Sequence, residues 1–370
     1  MKSTGRLGPQ QTFGEGDFHG AVTIDPVIVR VLKYESEPNR MLDLHIPPVS
    51  PEYECAHTHQ AKEVELAASV CSVIADIAPR PGDACPGDAA ARGAAFVCEL
   101  MARHAGDAQV QAAGCRALRS LVPCCGAAGL ADEAQAAVET VIAAMRKHPD
   151  ELDVQEAACG VLAGITACCA ELQAVTFTNG GLEQVVGAMR QFPDAAELQT
   201  WACGALASLA ANNPMNQSAI AGSRAIDAVV VAMRRHAGDA QLQTMACGAL
   251  GNVAANHQNN QASITGGGGL QLIVAAMQEH SESIGVQRSA IGALWCLVKG
   301  NTECQAAVAS AGGAALTVGA LERHSGDPAL RAMASGALQV LVPGLGDAMG
   351  GRSGRGAPPE GPAPLLQGAG

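Results

Sequence analysis

Five histidines stand at one recurring position of this chain. His104, His148, His236, His280 and His324 each follow three residues after Met101, Met145, Met233, Met277 and Leu321, and Phe192 fills the remaining place after Met189. Imidazole is the commonest protein metal ligand, so the column invites a metal reading. A zinc ion needs its donors within about 2.0–2.3 Å of one point. Stacked helices lie roughly 8–10 Å apart, so one histidine per step cannot converge on an ion. The column reads instead as a cap on helix C-termini, where a cation complements the carbonyl end of the dipole.

The thiols read in the same way. Cys71, Cys115, Cys159, Cys203 and Cys247 form a column that Ile291 and Ser335 continue. That slot takes a small or apolar side chain, so the cysteine acts as a small hydrophobe in a tight helix contact. The vicinal pairs Cys124-Cys125 and Cys168-Cys169 mark helix ends. Cys55-x-His57-x-His59, with His45 nearby, is the one local cluster of ligand types, and its spacing fits no common zinc module. The run Gly266 to Gly269 lacks the Lys-Ser/Thr of a phosphate loop. Asn216-Gln217-Ser218 is a glycosylation sequon in form only. No nucleophile-elbow, zinc-protease or kinase signature occurs. The sequence therefore predicts no catalytic residue, no metal ligand and no cofactor, and hence no enzyme.

What positions these columns is a gap-free period of 44 residues. Gln111, Gln155, Gln199, Gln243 and Gln287, then Arg331, form one column; Leu118, Leu162, Leu206, Leu250, Leu294 and Leu338 form another. Leu66, Cys71 and Ile74 fall into register one period earlier, so a degenerate copy opens the array. Within a unit, Leu270, Ile273, Val274 and Met277 make the i, i+3, i+4, i+7 stripe of a helix. A turn with Gly106, Pro149, Pro193 or Gly238 follows, and Asp107, Asp239 and Asp327 are placed to cap the next helix. That long helix points Leu242, Ala246, Ala249, Leu250 and Val253 inward. A shorter helix then runs through Ile220 or Ile264, and glycines such as Gly180-Gly181 and Gly312-Gly313 end it.

Composition agrees. Hydrophobic residues are 48% and aromatics only 2%, so the core consists of small side chains on closely packed helices. A net charge of −12 disfavours a nucleic-acid backbone as partner. No apolar run reaches the roughly 18–20 residues of a membrane span. Without an apolar leader at the start of the sequence, its fourteen cysteines read as reduced thiols of a cytoplasmic protein.

A helical repeat of this length belongs to the armadillo/HEAT class. The segments ACGALASLAANNPMNQ and ACGALGNVAANHQNNQ, with the glycine break after a short first helix, resemble armadillo repeats. Within that class the motif is similar to vacuolar protein eight and to the armadillo segment of leucine-rich repeat kinases. The resemblance covers about residues 60–345. It implies an all-α, right-handed superhelical solenoid of about six three-helix units. An irregular arm at 1–59 precedes it and a disordered Gly/Pro-rich tail at 346–370 follows.

The resemblance further implies that the long third helices line a concave groove that binds a peptide or helix of a protein partner. The expected groove residues are Arg119, Ser208, Thr244, Asn252, Arg288, Trp295 and Lys299, with Trp295 as anchor if exposed. Trp201 is expected nearer the core. Importin-alpha repeats pair a groove asparagine with a tryptophan four residues earlier. Here only Asn252 matches, and Gly160, Gly204, Gly248, Gly292 and Gly336 occupy the tryptophan places. Nuclear-import cargo is therefore not expected, and the groove floor reads as smooth enough to admit a helix. An alternative is a regulatory armadillo segment for a kinase or GTPase on another chain. The sequence sets neither the partner's identity nor the oligomeric state.

Overall fold

The computed structural model describes residues 56–77, 87–121 and 131–342. All of the regular structure among them is helical, in seventeen helices. The arm expected at 1–59, up to the start of the first helix, lies outside the described residues. So do the tail expected at 346–370, Cys124-Cys125, His45 and Cys55; the side chains of His57 and His59 are likewise outside the description.

The chain opens with α1 (Ala56–Ile77), then α2 (Gly87–Arg103) and α3 (Ala108–Leu121), then α4 (Ala131–Lys147) and α5 (Leu152–Cys168). Four complete three-helix units follow. The first is α6 (Ala170–Thr178), α7 (Gly181–Gln191) and α8 (Ala196–Ala210). The second is α9 (Pro214–Gly222), α10 (Ala225–Arg235) and α11 (Ala240–Ala254). The third is α12 (Gln258–Gly266), α13 (Gly269–Glu279) and α14 (Ile284–Val298). The fourth is α15 (Thr302–Ser310), α16 (Gly313–Arg323) and α17 (Pro328–Leu341). Each third helix packs against that of the unit before it, and all but the last described also against that of the unit after.

Among the described residues, the expected three-helix unit is complete in these last four. The break between first and second helix needs one left-handed residue, and Gly180, Arg224, Gly268 and Gly312 supply it with φ of 78°, 64°, 87° and 79°. The equivalent Ala136 has no such freedom and favours helix, so α4 runs through unbroken.

The leucine and cysteine columns form the core: Leu118, Leu162, Leu206, Leu250, Leu294 and Leu338 are buried, as are the five cysteines. The caps fall where the sequence put them. Asp107 accepts Gln109 and Val110 N–H at 3.0 Å, and Asp239 accepts Gln241 and Leu242 N–H at 2.9 and 3.0 Å.

The glutamine column carries a role that its spacing did not reveal. Each Nε2 donates to two carbonyls at the end of the second helix of its own unit. Gln243 reaches Met233 O at 2.9 Å and His236 O at 3.0 Å. Gln111, Gln155, Gln199 and Gln287 do the same with Met101/His104, Met145/His148, Met189/Phe192 and Met277/His280. Helix ends leave carbonyls without intrahelical partners, and this buried amide satisfies two of them while fixing the turn.

The histidines join units together. Nε2 of His148, His236, His280 and His324 lies 2.7–2.9 Å from the carbonyls of Ala105, Pro193, Ala237 and Ser281, each in the second-to-third-helix turn of the preceding unit. A carbonyl only accepts, so Nε2 bears the proton. The column thus sits at helix C-termini as read, yet its side chains reach out of the unit.

Replacing Gln243 by Ala strands two buried carbonyls, each worth about 1–3 kcal/mol. Urea unfolding of that variant is expected to show a loss of about 2–4 kcal/mol, with faster hydrogen exchange in α10 and α11. Ala at the exposed neighbour Gln241 is expected to change stability by under about 0.5 kcal/mol.

Candidate functional site

The expected groove residues lie on or at the ends of the third helices, and packing has already claimed most of them. Trp295 is 6% exposed, with its indole laid across Gly336 of the next third helix. A Cβ on Gly336 would sit 2.7 Å from Trp295 Cζ2. Asn252 is also 6% exposed, and its Nδ2 donates to Ala207 O at 2.9 Å across the unit boundary. Ser208 is buried, and its carbonyl accepts Gln173 Nε2 at 2.8 Å. Trp295 and Asn252 thus meet a neighbouring unit, and the Ser208 carbonyl is taken within its own.

The other four are half-buried and engaged. Thr244 Oγ1 donates to Ala240 O at 2.7 Å. Arg288 pairs with Asp327, the residue that also caps α17 through Leu330 N–H at 2.6 Å. The Lys299 carbonyl accepts Gln261 Nε2 at 3.1 Å. Arg119 lays its guanidinium 5.0 Å from the centre of the Trp201 ring, and its Cδ would lie 2.8 Å from a Cβ on Gly160. Trp201, expected nearer the core, is only half-buried.

The smooth glycine floor is therefore corrected. Gly160, Gly204 and Gly336 are filled by Arg119, Ala163 and Trp295, each from the preceding third helix and 41 residues earlier. At Gly160 and Gly336 no open slot remains above the glycine, while at Gly204 an added Cβ would meet only ordinary van der Waals contact.

What stays exposed on this side is a different set. Leu152, Asp153, Glu197, Gln241 and Ile284 stand at the starts of α5, α8, α11 and α14, with half-buried Glu156, Trp201 and Met245 one turn further along. Burial raises the Glu156 carboxyl above the ordinary range, and the nearby Glu197 and Asp153 raise it further, while Arg119 and Arg116 oppose them. None of the three acids forms an ion pair with a described residue. Asp153 and Glu197 also suit the first turn of a helix. Their shared column was legible in the repeat; that Glu156 joins them depends on how α5 and α8 pack.

The buried thiols of the column, with Cys296, are inert. Burial pushes Cys71 up to about 11 and Cys159, Cys203, Cys247 and Cys296 up to about 12, so they remain protonated. No group of three or more potential metal ligands occurs among the described residues. Nor is any single helix among them long and apolar enough to cross a membrane. The bent pair α15 and α16 has the length and composition together, but folds back by 66° as the first two helices of a unit.

With this geometry the fold class is defined: an all-α solenoid of armadillo type. The family of the LRRK2 ARM repeat matches residues 154–346, just over half of the chain, and the chain belongs to it. Solved structures agree on the fold. Two engineered proteins, each 24% identical, cover 67% of this chain and 96% and 98% of their own, with TM-scores of 0.56 and 0.58. A designed armadillo repeat protein is 20% identical over 68% of this chain and 99% of its own, with a TM-score of 0.54. Among curated proteins, none matches the sequence.

Two stability tests follow from the packing. Gly336→Ala overpacks the Trp295 slot and is expected to cost about 1–3 kcal/mol, whereas Trp295→Ala empties it and costs about 3–5 kcal/mol. Because the two residues share one contact, the double variant is expected to lose less than the sum. Additive losses in urea titrations would show that the two do not meet.

The second test concerns Asp327. Its bond from Leu330 N–H, and then the Arg288 guanidinium, hold its carboxyl below the usual range. The stability this provides is complete above about pH 4, near the unfolded value, and is lost as pH falls through the lower native value. Thermal unfolding of Asp327→Asn between about pH 5 and 2 is expected to fall less steeply than wild type.

Proposed function

We propose that this chain is a non-catalytic, cytoplasmic interaction scaffold. The side of its third helices that faces solvent docks a peptide or helix of a protein partner. What supports the reading is the surface left over once packing is complete: an acidic strip of Asp153, Glu156 and Glu197 beside half-buried Trp201, edged by exposed Leu152. Armadillo solenoids offer their third helices as an extended concave binding surface. On this one the acids, none of them in an ion pair with a described residue, favour a segment carrying lysine or arginine, and the tryptophan and leucine offer it apolar contact.

A second reading rests on the family match, whose name is that of a kinase. In it the solenoid is a regulatory segment for a kinase or GTPase on another chain, and the same strip would dock that enzyme.

Affinity capture from native lysate tests both. Wild type is compared with a folded Glu156→Lys/Glu197→Lys variant, and retained proteins are identified by mass spectrometry. A partner held by wild type and reduced at least about tenfold by the variant, with binding that weakens in salt, is the expected outcome. If that partner carries a kinase or GTPase domain, the second reading gains. Identical retention by both proteins would remove this face from consideration.

A further inference from the structure

Among the described junctions between units, the one that follows α5 is built differently and carries two adjacent thiols. After α8, α11 and α14 the chain turns through a left-handed residue, Asn212, Asn256 or Gly300, with φ of 52°, 56° and 72°. The next residue then caps the first helix of the following unit. Asn213 accepts Asn216 N–H at 3.1 Å, His257 accepts Asn260 N–H at 3.3 Å, and Asn301 accepts Cys304 N–H at 3.1 Å. One period earlier those two places hold Cys168 and Cys169. There α5 runs on to Cys168, while Cys169 is extended, with φ of −160°, and gives α6 no side-chain cap. Cys168 is exposed and Cys169 half-buried; of the other described cysteines, only Cys98 is not buried. Cys168 Sγ donates to Gly164 O at 3.3 Å, and the Cys169 thiol donates to the exposed Glu171 carboxylate. Rotation about χ1 releases either sulfur from its acceptor.

We propose that Cys168 and Cys169 form a vicinal dithiol site for trivalent arsenicals, and that a bridge across it ties α5 to α6. Sulfur is a soft donor and matches a soft, thiophilic acceptor. Two thiols displace the oxygen of an arsenoxide. Two As–S bonds form, the two S–H bonds and the bonding of arsenic to its oxygen break, and both protons leave with that oxygen as water. Arsenic stays trivalent and no oxidant is consumed. Burial and the neighbouring Cys169 raise the Cys168 thiol above its ordinary range, and the protonated form they favour is the form this exchange consumes. A direct disulfide fits less well. Neighbouring Cα atoms are about 3.8 Å apart, short of the roughly 4.4–6.8 Å of ordinary disulfides. An arsenic atom between the sulfurs enlarges the ring. The bridge joins the last residue of α5 to the residue that precedes α6, where the later junctions have their left-handed turn and cap. This inference does not depend on what the solvent side of the third helices binds.

Phenylarsine oxide is the probe. The full, reduced chain is incubated with it, open thiols are alkylated with iodoacetamide, and the alkylated positions are read by mass spectrometry. Cys168 and Cys169 are expected to be protected together, and dithiothreitol is expected to reverse the protection where the same concentration of a monothiol does not. Cys168→Ser and Cys169→Ser are each expected to weaken protection of the remaining thiol at least about tenfold. Cys98→Ser is expected to leave the protection of the pair unchanged. The probe is also expected to raise the melting temperature of wild type by more than that of either serine variant. Should a serine variant fail to fold by circular dichroism, Cys168→Asn/Cys169→Asn installs the pair found at Asn212-Asn213. That variant is expected to bind one equivalent of probe less than wild type. Unhindered alkylation of the pair under the probe, equal protection in the serine variants, an equal melting shift, or equal uptake by the asparagine variant would each overturn the proposal.

Discussion

The structure depends on how closely one third helix can approach the next. Side chains of one helix settle onto glycines of its neighbour, as Trp295 does on Gly336 and Arg119 on Gly160. A glycine there costs helix propensity, roughly 1 kcal/mol relative to alanine. That cost is repaid by a contact no other residue permits. It also explains a core with so few aromatic residues. When the spacing between helices is set by glycine, alanine and cysteine, a ring fits only where a glycine faces it.

Close approach creates a second problem, because it buries helix ends. Each unit has two turns whose carbonyls would be orphaned away from water, and an unmet buried polar group costs about 1–3 kcal/mol. The chain answers with amide side chains in fixed columns. Gln243 and its equivalents serve the turn within the unit, while Gln217 reaches both Ala210 O and Asn252 O and so spans two units. Asn260 likewise donates to Val253 O and to Gln217 O. The histidines add a tie from each unit to the turn before it. These residues look like surface chemistry in the sequence, but in the fold they maintain the stack.

The available binding surface is what this demand leaves behind. Asn252 and Trp295 stand in columns expected to line the groove, yet here both serve the neighbouring unit. The free surface shifts toward the N-terminal turns of the third helices, where acids already favoured by the helix dipole gather around Glu156.

The sequence by itself determined the period, the helix order of the last four units, the aspartate caps and the inward leucine and cysteine columns. All of these follow from spacing along one helix or one turn, and such spacing is local. Tertiary structure alone decided the fate of the side chains between units. Whether Trp295 meets solvent depends on a glycine 41 residues later, and whether Asn252 is available depends on the carbonyl of Ala207. It also decided that Gly160 and Gly336 would be filled rather than open. Repetition shows that residues share an environment. Only the packed neighbour shows whether that environment is an interface or water, because burial is a property of two surfaces and a single column describes just one of them.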